Sequence, residues 1–129
     1  MPLVHVSRRV GRSREENARV LDGIHEAIVE AFETPQSDRT QILNELDAAH
    51  FEIPGDRTPA YTLIEISAFA GRSVDAKRAL YRGIVQRLEA IGIAPADVLI
   101  VLTEPARESW SIRGGQAASD VKLGYKIDV

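Results

Sequence analysis

Gly11-Arg12-Ser13 and Gly71-Arg72-Ser73 are the same tripeptide, 60 residues apart. Each copy lies between an apolar run and a helical pattern. The same offset aligns Leu3 with Leu63, Ser7 with Ser67, Gly23 with Gly83, Ile24 with Ile84 and Pro35 with Pro95. A recurrence at fixed spacing is the signature of a repeated supersecondary unit. The 129-residue chain therefore reads as two copies of one unit, about 2–53 and 60–103, followed by a tail at 104–129. The length fits a single domain.

Each unit reads as strand, helix, strand. Leu3 to Val6 is short and β-prone. Ser13 opens a helix, and Glu16 stands where a capping box would let it reach back to the cap. Leu21, Ile24, Ile28 and Phe32 recur at helical spacing and predict a buried stripe. Pro35 disfavours α geometry just before it, so the helix ends near Thr34. Arg39 to Leu46 is the second, weaker strand. Ile53-Pro54-Gly55-Asp56-Arg57-Thr58-Pro59 is a turn-rich connection.

The second unit opens with Tyr61 to Phe69, the strongest strand pattern. Ser73 caps the second helix, and Asp75 in its first turn complements the helix dipole. Leu80, Ile84, Leu88 and Ile91 form its stripe. Gly92 and Pro95 end it. Val98 to Leu102 is an uninterrupted apolar strand. The tail is polar and loop-like, with a possible short strand at Val121 to Ile127 and a flexible turn at Gly114-Gly115-Gln116.

Parallel strands joined by a crossover helix place that helix on one face. Two such units predict an α/β (α+β) fold: a tandem βαβ repeat with a four-stranded sheet and two helices on one face. The other face is then bare. Leu63, Phe69, Leu99 and Val101 fall partly on it by period two, and oligomerisation is the economical way to cover them.

Composition narrows the function. Hydrophobic residues make up 44% and charged residues 27%, a globular balance. The net charge of −3 is a poor match to nucleic acid, which needs a basic excess. With no cysteine, disulfides, zinc-thiolate sites and thiol nucleophiles are excluded. No apolar run of about 18 residues is present to cross a membrane. No signal peptide is evident, so the expected location is cytoplasmic. Phosphate loops, GxGxxG, HExxH and GxSxG are absent. His5, His25 and His50 lack chelate spacing, so no metal site is expected. His25, beside the first helix's stripe, reads as a structural histidine.

Pro2 stands out. Removal of Met1, efficient before a small residue, would leave a chain beginning with a secondary amine. An α-amino group titrates near neutrality, at about 7.7–8.0 in peptides. Burial or a neighbouring Arg lowers that value. Such a group serves as a base when neutral or as an acid when protonated.

The Met-Pro start, the repeat of about 60 residues and the arginine before the second helix together resemble the tautomerase superfamily. Among its double-length members, the chain is most similar to the malonate semialdehyde decarboxylase-like subgroup. The resemblance rests on Pro2-Leu3, Asp22 to Phe32, Ser37-Asp38-Arg39-Thr40-Gln41-Ile42-Leu43, Gly71-Arg72-Ser73, and Trp110-Ser111 with Gly114-Gly115. It spans nearly the whole chain.

The resemblance implies a homotrimer whose sheets face inward, and a site without cofactor or metal. It implies Pro2, Arg72 and Asp38 as catalytic residues. Arg72 would bind and polarise a substrate carboxylate or carbonyl. Guanidinium suits that task through its planar, permanently charged fork. Asp38 would orient substrate or water, and Trp110 would wall the pocket. The subgroup usually carries a second arginine two residues before the first; here Ala70 stands there. Arg39 or Arg113 is left to supply that charge. Solvated, turn-forming and packing roles remain open for Arg72, Asp38 and Trp110 respectively.

The function expected is a proline-dependent tautomerase or decarboxylase acting on a small oxo-acid or enol-acid. Hydration of acetylenic acids is a further possibility. The alternative is a non-catalytic trimeric binding protein that keeps the fold.

Overall fold

A computed structural model describes all residues, Met1–Val129. Its elements are β1 (Pro2–Arg9), α1 (Arg14–Phe32), β2 (Thr40–Leu46), β3 (Thr62–Ala68), α2 (Val74–Glu89), β4 (Val98–Thr103) and a small hairpin of β5 (Ser111–Arg113) and β6 (Gln116–Ala117). The main sheet has the order β2-β1-β3-β4. β1 runs parallel to β2, and β3 parallel to β4, as a crossover helix requires. The two units join antiparallel through β1 and β3.

The two tripeptides do the same local work. Ser13 Oγ accepts from Glu16 N at 3.0 Å and Ser73 Oγ accepts from Ala76 N at 3.1 Å. Each serine is extended. Gly11 and Gly71 precede them at φ 112° and 134°, which only glycine adopts without strain. Gly23 and Gly83 recur for another reason. α1 and α2 pack side by side, and a Cβ on Gly23 would meet Arg87 Cβ at 3.2 Å.

The core lies between the sheet and the two helices. Val4, Val6, Ile64 and Ile66 from the strands meet Val20, Ile24, Ile28, Phe32, Leu80, Ile84 and Leu88 from the helices. The α1 stripe is turned slightly from its expected position: Val20 is fully buried and Leu21 lies at the edge. The helix ends at Phe32, with Glu33 left-handed at φ 54°. His25 is buried.

Three expectations are corrected. Phe69 is not on the open sheet face. It follows the last residue of β3 and is fully buried, its ring 5.2 Å from that of Trp110. Val121 to Ile127 forms no strand; the hairpin in the tail is instead β5–β6, turning at Gly114 and Gly115. Glu16 does not close a capping box. Its carboxylate meets the Arg8 guanidinium at 2.8 Å, because Arg8 lies on the inward side of β1 and needs partners there.

The open face carries rows set by strand register. Ile42 pairs with His5, His5 with Glu65 and Glu65 with Val101. Ile42, Leu99 and Val101 remain 44–45% exposed.

Arg8 is 1% exposed and spends its donors on Thr62 Oγ1 at 3.0 Å and Asn17 Oδ1 at 2.8 Å, besides the Glu16 pair. Removing one partner of a buried pair costs more than replacing both with apolar groups. Arg8→Ala is expected to lower the unfolding free energy by about 3 kcal/mol. Arg8→Met paired with Glu16→Gln should cost clearly less. Urea denaturation of both proteins checks this ordering.

Candidate active site

Strand register brings three distant segments together. Pro2 lies opposite Ala68 at the far end of β3, so Phe69 to Arg72 follow beside it. Leu3 lies opposite Thr40, which puts Asp38 next to the start of β1. The tail then folds across this end of the sheet. Ser73 Oγ donates to Val129 O at 2.9 Å, and Ile127 Cγ2 would lie 3.0 Å from a Cβ on Gly71.

Pro2 is buried on the helix side of β1. Arg72 is 6% exposed, an unusual burial for a guanidinium. Its Nη1 donates to Phe69 O at 3.1 Å, and its Cζ stands 4.8 Å over the Phe32 ring. Nε and Nη2 are buried with no hydrogen-bond partner. Desolvation draws its pKa below the usual value, opposed by Tyr125, Glu104 and Asp38 in that order. Lys77 Nζ holds Glu104 Oε1 at 2.5 Å. Arg12, the repeat-mate, is only half-buried.

The Met1 ammonium forms an ion pair with Asp38 Oδ2 and donates to Tyr125 Oη at 3.2 Å. These groups border a cavity of about 280 Å³ lined also by Pro35, Ser37, Ile112, Arg113 and Leu123. Tyr125 titrates above the usual phenol value. Burial is the main cause, and the Asp38 charge adds to it, while Arg72 opposes. A larger hollow of about 820 Å³ lies on the other side of the tail, against Ala70, Gly71 and Arg107. It is open, and the chemistry-bearing groups gather at the smaller one.

Of the residues singled out from sequence, Pro2, Asp38, Arg72 and Arg113 gather at this end. Arg39 does not join them: its Nη2 donates to Asp22 Oδ1 at 2.6 Å in an exposed pair. Trp110 packs edge-on against Phe69 and donates from Nε1 to Pro105 O at 3.2 Å. Tyr125 was not foreseen. It sits in a tail without strand or helix, so no periodicity could mark it.

Comparison with known proteins fits this geometry. Two family models, both described as tautomerase enzyme, match residues 38–113 and 2–60. The probable tautomerase YrdN of Bacillus subtilis (strain 168) is 32% identical, over 91% of this chain and 95% of its own. The chain belongs to the tautomerase superfamily. Among solved tautomerase-fold structures, FG41 malonate semialdehyde decarboxylase inhibited by 3-bromopropiolate is 32% identical. It aligns with a TM-score of 0.81 over 91% of this chain and 92% of its own. A symmetric trimer of wild-type fused 4-OT is 26% identical, with a TM-score of 0.81 over 91% and 96%.

A buried tautomerase arginine with a lowered pKa has a thermodynamic consequence. A depressed pKa adds stability only above the unfolded value and subtracts it below the folded value. At neutral pH the Arg72 charge therefore works against folding. Arg72→Met is expected to leave the denaturation midpoint unchanged or raised, which thermal and urea unfolding at pH 7 will read.

Proposed function

We propose that this chain is a cofactor-independent enzyme that acts on a small oxo-acid or enol-acid through an N-terminal Pro2. The observation that carries the reading is Arg72: a buried guanidinium near Pro2, with two N–H groups unpartnered. A buried donor without an acceptor is costly, and a substrate carboxylate or carbonyl oxygen is the partner such a fork fits. The amide end of α2 adds to the attraction for an anion.

Tautomerisation and decarboxylation differ in the state of Pro2. As a neutral amine, Pro2 takes the enol proton and returns a proton to carbon, leaving the ketone. As an ammonium, it stabilises with Arg72 the negative charge that develops on a carbonyl oxygen while carbon dioxide leaves. The likeness to the decarboxylase favours the second chemistry; the names of the Bacillus relatives favour the first. Arg113 is better placed than Arg39 to stand in for the arginine absent at Ala70, because it borders the Asp38 cavity while Arg39 is tied to Asp22. The active form is a cytoplasmic homotrimer, its contacts built on the open sheet face at Ile42, Leu99 and Val101. The fused 4-OT trimers support that assembly.

A panel of phenylenolpyruvate, 2-hydroxymuconate and malonate semialdehyde identifies the reaction, and the mass of the purified chain reports whether Met1 is removed. Pro2→Ala makes the amine primary and more mobile, and turnover should fall by orders of magnitude with circular dichroism unchanged. Arg72→Ala should weaken an acid substrate about ten- to a hundred-fold, the worth of one charge-assisted pair. Arg72→Lys should recover little of that loss. Arg12→Ala is the internal control. Equal losses at Arg12 and Arg72 would place the site wrongly, and turnover with Met1 retained would leave a binding protein or another mechanism.

Light scattering should give about three times the chain mass. Val101→Asp should reduce it, since a charge buried in an apolar contact is expensive. A wild-type monomer at micromolar concentration contradicts the assembly.

A further inference from the structure

Met1 marks a place that its removal vacates. Its ammonium lies between the Asp38 carboxylate and the Tyr125 hydroxyl. Only three bonds separate the Met1 nitrogen from the Pro2 nitrogen, so that place lies within about 4 Å of the Pro2 amine. Its surroundings are apolar at Pro35, Ile112 and Leu123 and cationic at Arg113. Arg72 feels the charges of both Tyr125 and Asp38, so the guanidinium shares one electrostatic neighbourhood with them.

We infer that Asp38 and Tyr125 form a two-oxygen seat for the hydroxyl on the carbon next to the substrate carboxylate. The inference rests on the Pro2 reading above and specifies the substrate class: 2-hydroxy acids in the enol form. A hydroxyl donates to Asp38 and accepts from Tyr125, meeting both groups at once. It would then sit within reach of the Pro2 amine while Arg72 holds the carboxylate. Arg72 and Arg113 together disfavour a cationic ligand in the same place. Tyr125 is thus a specificity-determining residue that acts through a hydrogen bond. Its protonated phenol, the form the seat uses, is the form favoured by burial and by the Asp38 charge.

Two stable acids that differ only in this hydroxyl test the seat by calorimetry, 3-phenyllactate and 3-phenylpropanoate. The protein is the purified chain with Met1 removed, as verified by mass. The hydroxy acid should bind the wild type about ten-fold more tightly, the worth of hydrogen bonds to a charged group. In Tyr125→Phe and in Asp38→Asn the ratio should fall below about three-fold, with 3-phenylpropanoate itself little changed. Circular dichroism confirms that both variants fold. Equal binding of the two acids by the wild type, including no binding of either, overturns the seat. So does a ratio that survives both substitutions. Failure of the Pro2 reading is separate: it appears as full turnover in Pro2→Ala, and it does not alter the binding ratio.

Discussion

The antiparallel pairing of β1 with β3 is the constraint on which the rest depends. Each βαβ unit alone yields a parallel pair with a helix on one face. The join determines which ends of the two units meet. The register Pro2 to Ala68 and Arg8 to Thr62 makes an approximate two-fold axis through the sheet. It lays the start of the first unit against the strand-to-helix turn of the second. An amine at the beginning of the chain thereby comes near an arginine 70 residues later. A slip of one residue would turn every side chain of β1 to the other face. Val4 and Val6 would leave the core, and Pro2 would leave the side on which Arg72 is buried.

The same axis creates a second, equivalent corner, where Thr62 stands for Pro2 and Arg12 for Arg72. The two corners have diverged by what fills them. Arg8 and Ala68 occupy matching places in the repeat. Arg8 plugs its corner, bonding to Thr62, Asn17 and Glu16. Ala68 is small and leaves room beside Pro2. The tail adds the other difference. It follows only the second unit, so it covers Arg72 and leaves Arg12 half-exposed. A duplicated fold thus becomes one pocket and one structural network, through one side-chain size and one extension of about 25 residues.

These facts explain what was legible in the sequence. The repeat, both helix caps, the four strands and the shared helix face all follow from local rules: apolar period, capping serines and glycines at positive φ. The Gly23 and Gly83 identities mark a close helix contact in both copies. Pro2, Asp38 and Arg72 were found through pattern and resemblance. Tyr125 was invisible because its position depends on where an irregular segment crosses the sheet end. Phe69 was misplaced because strict alternation was carried one residue beyond the end of β3. Glu16 was misread because a buried cation on the neighbouring strand competed with the cap for its carboxylate. In each case a tertiary partner outweighed a local preference.

Arg72 and Arg8 show how differently one side chain behaves at two depths of the same fold. Both are nearly inaccessible, yet Arg8 has a carboxylate, an amide oxygen and a hydroxyl around its fork, while Arg72 has one carbonyl and an aromatic face. Desolvation is balanced at the first and left open at the second. A fold that needed only stability would place a methionine or leucine over Phe32. Keeping a guanidinium there, with two donors unused, stores affinity for an anion that brings its own oxygens. The tail makes that storage effective, because excluding water strengthens each charge interaction inside the corner. The buried arginine and the segment that covers it are therefore one device. Without the tail the guanidinium would be hydrated and the incoming acid would gain little; without the guanidinium the tail would cover a corner with no charge to offer an acid.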